Sequence, residues 1–488
     1  MKSERRQTAQ TAVIDVGSHA VRMDIFEDSG AGGSRLLESL IRDVDLGREV
    51  FRRGEAPPGE LALLCSIAAD FRHKLEEYGD IPVRAFATSA LREAANRELV
   101  ADRMYGSGGW KPEILESSRE CYLIAKAMRR AVAASGCSPN DRVLGVHVGA
   151  GSLFMFFFAD GALCFGEEIP AGRDRLPAVE SLRDCARAFG EAIAASGAVR
   201  NLRAVTGEAP LRLFVSGSGA RRFASALGHA PAGFDAVAEV PCELLRDGGV
   251  ADDTESACAM TAAALLRGFF ECGEAVFVPG FTTRSAFLTD DGVVDEARFA
   301  ADLAGVCRGI VRRFGADAET AERSAAFAAA LWKKLRGRFG LEERSLALLE
   351  CAARLRDLGS IVDCRETARH SAYFIDHLQL PGASSAERRL VAATVRRAGG
   401  CASRNDAENL APEHRPTLFE LAALLRVGAA LAAVGGDPEE LQLNVSGAEL
   451  ILTLRTASPE SARGLLAPHA EEFCRVFGLR PRPGEPAS

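Results

Sequence analysis

The segment TAVIDVGSHAVRMDIFE, residues 11–27, consists of an apolar run, a polar residue, a Val-Gly turn with a serine, and a second apolar run. This order predicts a strand over Ala12–Asp15, a tight turn, and a second strand over Val21–Phe26. The segment VLGVHVGAGSLFMFFFADG, residues 143–161, has the same outline, with a histidine in place of the aspartate. We therefore predict that the chain contains one strand–turn–strand device twice.

The segments around the two copies alternate between strand and helix patterns. IPVRAFATSALREAANRELVADRM predicts a strand over Val83–Thr88 and then a helix from about Ser89. WKPEILESSRECYLIAKAMRRAV predicts a helix from about Ser118. LFVSGSGARRFA and AVFVPGFTTRSAFL continue the alternation after the second copy. Such alternation favours α/β domains.

The last part of the chain has a different pattern. From about Val306 the apolar residues recur at three- and four-residue spacing, which predicts helices. LQLNVSGAELILTLR, residues 441–455, predicts a late pair of strands, and the turn-rich ASGCSPND marks an earlier boundary. We predict three domains, 1–133, 134–305 and 306–488, of which the first two are α/β and the third is mostly helical.

Length and composition exclude several classes of protein. A chain of 488 residues exceeds the usual size of one hydrophobic core. The polar N-terminus and the absence of an apolar run of about 18–20 residues predict a cytoplasmic protein with no membrane contact. The 13 cysteines are scattered without metal-ligand spacing and are expected to be reduced and mostly buried. A net charge of −8 argues against a specific nucleic-acid partner.

Both glycine turns have the residues expected of a phosphate-binding loop. Gly17 and Ser18 in the first copy, and Gly149, Gly151 and Ser152 in the second, would offer backbone N–H groups and hydroxyls to phosphate oxygens. A tight hairpin turn that needs glycine for its conformation is the alternative for either copy alone. Two copies that each open an α/β unit predict instead two lobes that hold a phosphate chain between them.

Several stretches resemble the exopolyphosphatase/guanosine pentaphosphate phosphohydrolase (Ppx/GppA) family, within the sugar kinase, actin and heat-shock ATPase superfamily. They are IDVGSHAVRM, ATSALREAANRE, EILESSRECYLIAKAM, VGAGS, FVSGSGARRFA and RHSAYFI, in that order along the chain. The resemblance implies an α/β fold of two actin-like (ribonuclease H-like) lobes. A mostly α-helical HD-like domain with a small late α+β piece would follow them.

The resemblance also implies a catalytic site. Glu120 matches the family's catalytic base, which would take a proton from the water that attacks the terminal phosphate. Asp15 matches a residue of the first phosphate loop and would hold Mg²⁺ or Mn²⁺. Arg92 matches an arginine that contacts phosphate. The implied phosphate-binding set is Asp15, Gly17, Ser18, Arg92, Gly149, Gly151, Ser152, Gly217 and Gly219.

The chain departs from the family at other positions of the implied site. Arg119 replaces the first of two adjacent glutamates, and His147 replaces the acid that opens the second loop. Phe154 replaces a further acid, next to Leu153 in place of threonine, and Ala220 replaces a hydroxyl residue. Since carboxylates hold Mg²⁺ beside phosphates, these changes put the metal in doubt. His147 either alters the metal and proton chemistry, records its loss, or is a buried, hydrogen-bonded side chain.

The helical region departs from the family as well. A metal-dependent HD site needs an adjacent His-Asp pair, and here the pair is Arg356-Asp357. His370 remains without the other ligands of a metal cluster, so we expect it to be packed or to face phosphate. We predict an architectural or ligand-binding domain without a metal.

The leading hypothesis for function is a hydrolase of inorganic polyphosphate or guanosine pentaphosphate. The sequence allows a homodimer but does not determine the oligomeric state. The alternative is a pseudoenzyme that binds one of these anions as a regulator, because the loops are intact and several acids are missing. A kinase-like use of ATP is a third hypothesis, which no adenosine-site motif supports. The sequence does not distinguish polyphosphate from guanosine pentaphosphate.

Overall fold

The computed structural model describes residues 10–28, 34–138, 140–177, 181–209, 211–245, 251, 253–290, 295–401, 405–454 and 459–484. These residues form two compact units. The first contains the described residues of Met1–Gly161 and Gly166–Val293, and the second those of Ala162–Phe165 and Val294–Ser488.

The first quoted segment forms the centre of a mixed sheet. Its strands, in the order β3-β2-β1-β4-β5, are β1 (Gln10–Val16), β2 (Ala20–Asp28), β3 (Ser34–Asp43), β4 (Val83–Ala87) and β5 (Glu113–Ile114). β1 pairs with β2 antiparallel and with β4 parallel. The Gly17 N–H closes the turn by donating to the Ala20 carbonyl at 3.1 Å. The predicted strand–turn–strand is confirmed.

The second quoted segment repeats this arrangement in a second sheet. Its strands, in the order β10-β11-β9-β6-β7-β8, are β6 (Val143–Val148), β7 (Leu153–Ala159), β8 (Ala162–Ile169), β9 (Leu211–Ser216), β10 (Val237–Pro241) and β11 (Cys272–Pro279). β6 pairs with β7 antiparallel and with β9 parallel. The Gly149 N–H donates to the Ser152 carbonyl at 2.9 Å, as Gly17 does to Ala20. The predicted duplication of the device is therefore confirmed.

Helices follow or connect the strands of both sheets, as an α/β fold requires. They are α1 (Leu46–Arg53), α2 (Pro58–Glu76), α3 (Ser89–Glu93), α4 (Arg97–Gly108), α5 (Ser117–Ala134), α6 (Leu182–Ala195), α7 (Ala198–Thr206), α8 (Ser218–Ala226), α9 (Thr254–Phe269) and α10 (Thr283–Leu288). β6 is buried along its whole length, which is typical of a strand covered on both faces.

The prediction of one helix from Ser89 is wrong, because α3 and α4 are separate. Between them Ala94 has extended backbone, with φ −66° and ψ 128°. Asn96 exchanges two hydrogen bonds with the backbone of Ala56: its Oδ1 accepts from the amide at 3.0 Å and its Nδ2 donates to the carbonyl at 2.8 Å. This contact with a distant segment draws the chain out of the helix, and local propensity does not reveal it.

The second unit is mostly helical, with a small sheet near its end. Its helices are α11 (Glu296–Phe314), α12 (Ala318–Phe339), α13 (Glu343–Leu355), α14 (Thr367–His377), α15 (Ser385–Ala398), α16 (Asn405–Glu408), α17 (His414–Val434) and α18 (Pro459–Phe477). The strands β12 (Gln442–Ser446), β13 (Glu449–Thr453) and β14 (Arg480–Pro483) pair in that order.

Two boundaries of this region can be compared with the sequence pattern. The helical pattern expected from about Val306 begins earlier, at Glu296, because the Asp295 side chain caps α11 by accepting from the Arg298 amide. The late pair of strands is confirmed as β12 and β13, and Arg455 of that prediction lies outside the described residues. The division into domains 1–133, 134–305 and 306–488 stays a prediction.

Within the described ranges, one helix, α17, is long and apolar enough to cross a membrane by length and composition alone. In its apolar window 61% of the residues are buried inside the structure, as in a core helix. The thirteen cysteines, which all lie in the described ranges, are free thiols, and of these Cys364 and Cys401 are exposed.

Candidate functional site

The two glycine turns line one cavity of about 380 Å³ in the first unit. Its walls come from both sheets and from the N-terminal ends of α8 and α10. Of the residues that the sequence predicts for the site, the cavity is lined by Asp15, Gly17, Ser18, Glu120, His147, Gly149, Gly151, Ser152, Phe154 and Gly217.

The turns touch each other at Gly151. A Cβ atom at this position would collide with the side-chain hydroxyls of Ser18 and Ser89. These two hydroxyls lie 3.2 Å apart and are buried. Glycine is therefore required here because the second turn lies directly against the first turn and the start of α3.

The phosphate donors of the turns differ from those expected. The amides of Gly17 and Gly149 are already used inside the hairpins. Among the described residues, the amides of the next positions in the turns donate to no protein acceptor; these are Ser18, His19, Ala150 and Gly151. Backbone amides in such a concave turn can bind an anion. Ser18 and Gly151 belong to the predicted set, whereas His19 and Ala150 are additional donors.

The glycines of SGSGARR have separate roles. Gly217 has φ +116°, which favours glycine, and a Cβ there would collide with the Val148 carbonyl. This residue lines the cavity at the start of α8. Gly219 does not belong to the described cavity walls; its missing side chain lets α8 approach the backbone of Glu255 on α9. Ala220 is buried beside it, also outside those walls.

Asp15 is held by an arginine that the sequence analysis did not identify. Arg284 lies with Nη1 3.6 Å from Asp15 Oδ2 and with Nε 2.5 Å from Asp24 Oδ2. Burial raises the pKa of Asp15, although the positive charges of Arg284 and Arg22 oppose this. Asp24 also accepts from the Ser39 hydroxyl at 2.6 Å.

The carboxylate of Asp15 is the candidate ligand for a divalent cation. Asp15 Oδ1 is buried and has no hydrogen-bond partner among the described atoms. Mg²⁺ is commonly held by one or two carboxylates together with phosphate oxygens and water. In the described ranges no group of three His, Cys, Asp or Glu side chains could hold a metal alone. Asp15 therefore fits as a single protein ligand, with phosphate and water supplying the others.

Glu120 lies in the cavity wall and is 4% exposed. Its Oε2 accepts from Arg92 Nη1 at 2.7 Å, and Arg92 Nη2 donates to Glu168 Oε1 at 2.6 Å. Burial raises the pKa of Glu120 to about 7, while Arg92 opposes the increase and Glu168 adds to it. A carboxyl with a pKa near neutrality is suited to general-base catalysis.

Arg92 is engaged by protein groups in this structure. Its guanidinium is occupied by Glu120, Glu168 and the Leu115 carbonyl, and it is absent from the described cavity walls. It holds the general-base candidate in place. Its contact with phosphate stays a prediction.

His147 has a partner for each ring nitrogen. Nδ1 lies 3.0 Å from the Ser216 hydroxyl and Nε2 lies 3.3 Å from the Thr283 hydroxyl. The ring stacks on Phe281, with centroids 6.0 Å apart. Burial lowers the pKa of His147 to about 4, so the imidazole is neutral at physiological pH.

The other altered positions bring no acid to the cavity. Arg119 is exposed at the start of α5, bonds Glu113, and lies 3.8 Å from Asp290. Phe154 is buried and stacks on Phe156, with centroids 6.3 Å apart. Glu255, a cavity acid that the sequence analysis missed, bonds Arg222 at 2.6 Å and Arg173 at 3.3 Å.

Each acid discussed at the cavity has a guanidinium partner, and further arginines face the same space. The arginines in the described walls are Arg22, Arg221, Arg222 and Arg284, none of which the sequence analysis singled out. FTTRSAFL and ARRFA contain three of them, but neither stretch has a spacing that would have indicated a site. The cavity is therefore built to bind an anion.

In the second unit, Arg356 Nε donates to its neighbour Asp357 at 3.2 Å. His370 lies on α14 and is half-buried. The prediction that this region binds no metal stays a prediction.

Residues 26–167 match the model of the Ppx/GppA phosphatase family, and residues 306–456 match that of Ppx/GppA phosphatase domain III. Together the matches span more than half of the chain. Arg92, Glu120 and the second glycine turn lie inside the first match, whereas Asp15 precedes it.

Several solved structures are similar to this chain. An exopolyphosphatase from Cytophaga hutchinsonii is 17% identical, with a TM-score of 0.49, over 58% of this chain and 99% of that one. A Ppx/GppA family member from Aquifex aeolicus is 18% identical, with a TM-score of 0.43, over 58% and 97%. The ethanolamine utilization protein EutJ from Carboxydothermus hydrogenoformans is 10% identical, with a TM-score of 0.31, over 57% and 89%.

Proposed function

Since the chain belongs to the Ppx/GppA phosphatase family, we propose that it is a phosphoanhydride hydrolase acting on inorganic polyphosphate or guanosine pentaphosphate. The observation that carries this proposal is Glu120, a buried carboxyl in the cavity wall with a pKa of about 7. The described wall around it contains four arginines, Arg22, Arg221, Arg222 and Arg284, and three acids, Asp15, Glu120 and Glu255.

In the proposed reaction, Glu120 takes the proton of a water molecule. The water oxygen forms a bond to the terminal phosphorus, and the bond from this phosphorus to the bridging oxygen breaks. Arg92 positions Glu120 through the 2.7 Å hydrogen bond. Burial raises the pKa of Glu120 to about 7, which suits it to accept a proton near neutral pH.

The phosphate oxygens would be bound by the amides of Ser18, His19, Ala150 and Gly151, and by the guanidiniums of the cavity. These donors are fixed before substrate arrives, so they stabilise developing charge without reorganisation. Asp15 would hold Mg²⁺ or Mn²⁺, which offsets negative charge on the transferred phosphate.

A second candidate function, a regulator that binds these anions without cleaving them, has its own support. His147 is neutral and satisfied by two hydroxyls, and Arg119 points to Glu113 rather than into the cavity. Both replace acids that the resemblance implies. Binding requires the arginines and the turn amides, which are present in either case.

The two functions are separated by measuring phosphate release from polyphosphate and from guanosine pentaphosphate, with Mg²⁺ and Mn²⁺ compared. We expect release from at least one substrate. Binding of both anions by calorimetry, without release under either metal, would identify the regulator instead. The two substrates in parallel determine which anion the cavity prefers.

Binding of polyphosphate should persist when EDTA removes divalent cations, because guanidiniums and amides make most of the proposed contacts. We expect the dissociation constant to change by less than about tenfold, or about 1.4 kcal/mol. Calorimetry with and without EDTA measures this at constant ionic strength. Complete loss of binding in EDTA would show that the metal, and not the arginines, holds the polyphosphate.

Replacing His147 by aspartate should raise Mg²⁺-dependent phosphate release. The new carboxylate would add a second hard ligand to that of Asp15, and the hydroxyls of Ser216 and Thr283 could donate to it. His147→Asn is the matched control, since asparagine has the shape of aspartate without its charge. Equal rates for the two variants, measured over a Mg²⁺ titration, would contradict the expectation.

A further inference from the structure

A cavity of about 410 Å³ lies within the second unit. The end of α13, the start of α14, the end of α15 and the middle of α17 and α18 form its walls. On the α17 side the wall is made of small and apolar side chains: Leu425, Ala429, Ala430 and Ala433. Because alanine fills so little space, this wall leaves room for a ligand of moderate size.

This helical-unit cavity also has cationic residues in its wall. Arg356, Arg365 and His469 come from segments other than α17, whereas Arg426 lies on α17 beside the apolar residues, and Asp357 is the acidic residue in the described wall. Arg426 is fully engaged, through a bond to Glu472 and through donation to the carbonyls of Ala398 and Arg397. It forms part of the fixed wall.

Arg356 and His469 have side-chain nitrogens without a hydrogen-bond partner among the described residues. Arg356 uses Nε for Asp357, and its Nη1 and Nη2 have no partner in the part of the chain that the structure describes. His469 likewise has no hydrogen bond within the described ranges, and the charges of Arg426 and Arg356 add to burial in lowering its pKa. Burial is the largest cause of this shift, and the charge of Glu472 opposes the two arginines.

We propose that this cavity binds a small phosphate monoester with an apolar or flat body. Arg356 contributes both Nη groups and His469 its ring, while the exposed Arg365 bonds Asp363 through Nε and Nη2 and has Nη1 without a partner among the described residues. These donors come from three segments and exceed what the two oxygens of a carboxylate can use. A phosphate monoester offers three terminal oxygens. The apolar body of the ligand would lie on the wall of leucine and alanines.

The structure provides two reporters for this site. Cys364 and Cys401 are the exposed thiols of the chain, and both line the helical-unit cavity. A ligand in the cavity should shield them from an alkylating reagent. Cys272 lies in the first unit, is half-buried, and serves as an internal control in the same sample.

The experiment measures alkylation rates of individual cysteines by iodoacetamide and mass spectrometry, on the full chain. The probes are AMP and GMP, with adenosine and inorganic phosphate as the two halves of the ligand. At a concentration about ten times the dissociation constant, mass action predicts about tenfold slower modification of Cys364 and Cys401 by a nucleoside monophosphate. Cys272 should react at an unchanged rate, and the half-ligands should protect much less.

Arg356→Gln and His469→Gln should each weaken the protection, whereas Arg475→Gln, an exposed position on α18, should not. Two variants are used so that failure of one to fold leaves the other as a test. Unchanged alkylation of Cys364 and Cys401 at 10 mM AMP and GMP would overturn the proposal, as would full protection in both cavity variants. Because the readout does not involve phosphate release, it is independent of the proposed hydrolase activity.

Discussion

Glu120→Gln should reduce phosphate release by about a thousandfold, which is the usual contribution of a general base. Glutamine keeps the volume of the side chain and can still contact Arg92, but it does not accept a proton at neutral pH. Polyphosphate affinity should remain within a few-fold of the wild-type value, since the arginines and turn amides are unchanged. Steady-state phosphate release and calorimetry on the same preparation separate the two effects.

The pH profile gives a second check on Glu120. The base acts when it is ionised, and burial raises its pKa to about 7. We therefore expect kcat/KM to rise with pH up to about 7 and to level off above it. Glu113→Gln is the matched control, because Glu113 is exposed, precedes the same helix and bonds Arg119. Wild-type release that survives in Glu120→Gln undiminished would show that another group is the base.

Arg284→Ala should destabilise the first unit by about 3 kcal/mol, since it leaves a buried carboxylate without its counter-charge. Asp24 is 1% exposed and lies 2.5 Å from Arg284, and Asp15 loses the same partner. Ser39 alone would then donate to the side chain of Asp24. The effect is large because Asp24 is shielded from water, whereas Asp15 still faces the cavity.

Urea unfolding measures this change if one unit is observed at a time. The chain has two tryptophans, Trp110 in the first unit and Trp332 in the second. In a Trp332→Phe background, the fluorescence of Trp110 reports the first unit. Arg35→Ala is the control, because its bond to Glu27 is exposed and should contribute less than about 1 kcal/mol. Equal midpoints for the Arg284 and Arg35 variants would contradict the prediction.

The fold could be predicted from the sequence where a pattern is local. The two hairpins and their glycine turns follow from the apolar pattern and from turn chemistry within about twenty residues of chain. The strands β1 and β2 extend beyond the predicted Ala12–Asp15 and Val21–Phe26. The break between α3 and α4 could not be predicted, because it depends on Asn96 bonding the backbone of Ala56. Nothing in the helical segment itself marks that contact.

The same limit applies to the candidate site. Asp15, Ser18, Gly151 and Glu120 were found because each lies in a short recognisable motif. Arg284 was missed because its partner Asp24 is 260 positions away in sequence, and only the fold brings them together. Arg92 was found but its contacts were not, since Glu168 reaches it from the second sheet.

The repeated hairpin has a consequence for how a bound chain of phosphates is oriented. Asp15 and His147 occupy equivalent positions on β1 and β6, opposite Arg22 and Phe154 respectively. The backbones of the two turns are alike, so main-chain amides alone offer a phosphate chain no preferred direction. The side chains break this symmetry, because the first turn follows an ionisable acid with a guanidinium partner and the second follows a neutral imidazole. A bound phosphate chain would therefore meet Asp15 beside one turn and His147 beside the other, although the two turn backbones are alike.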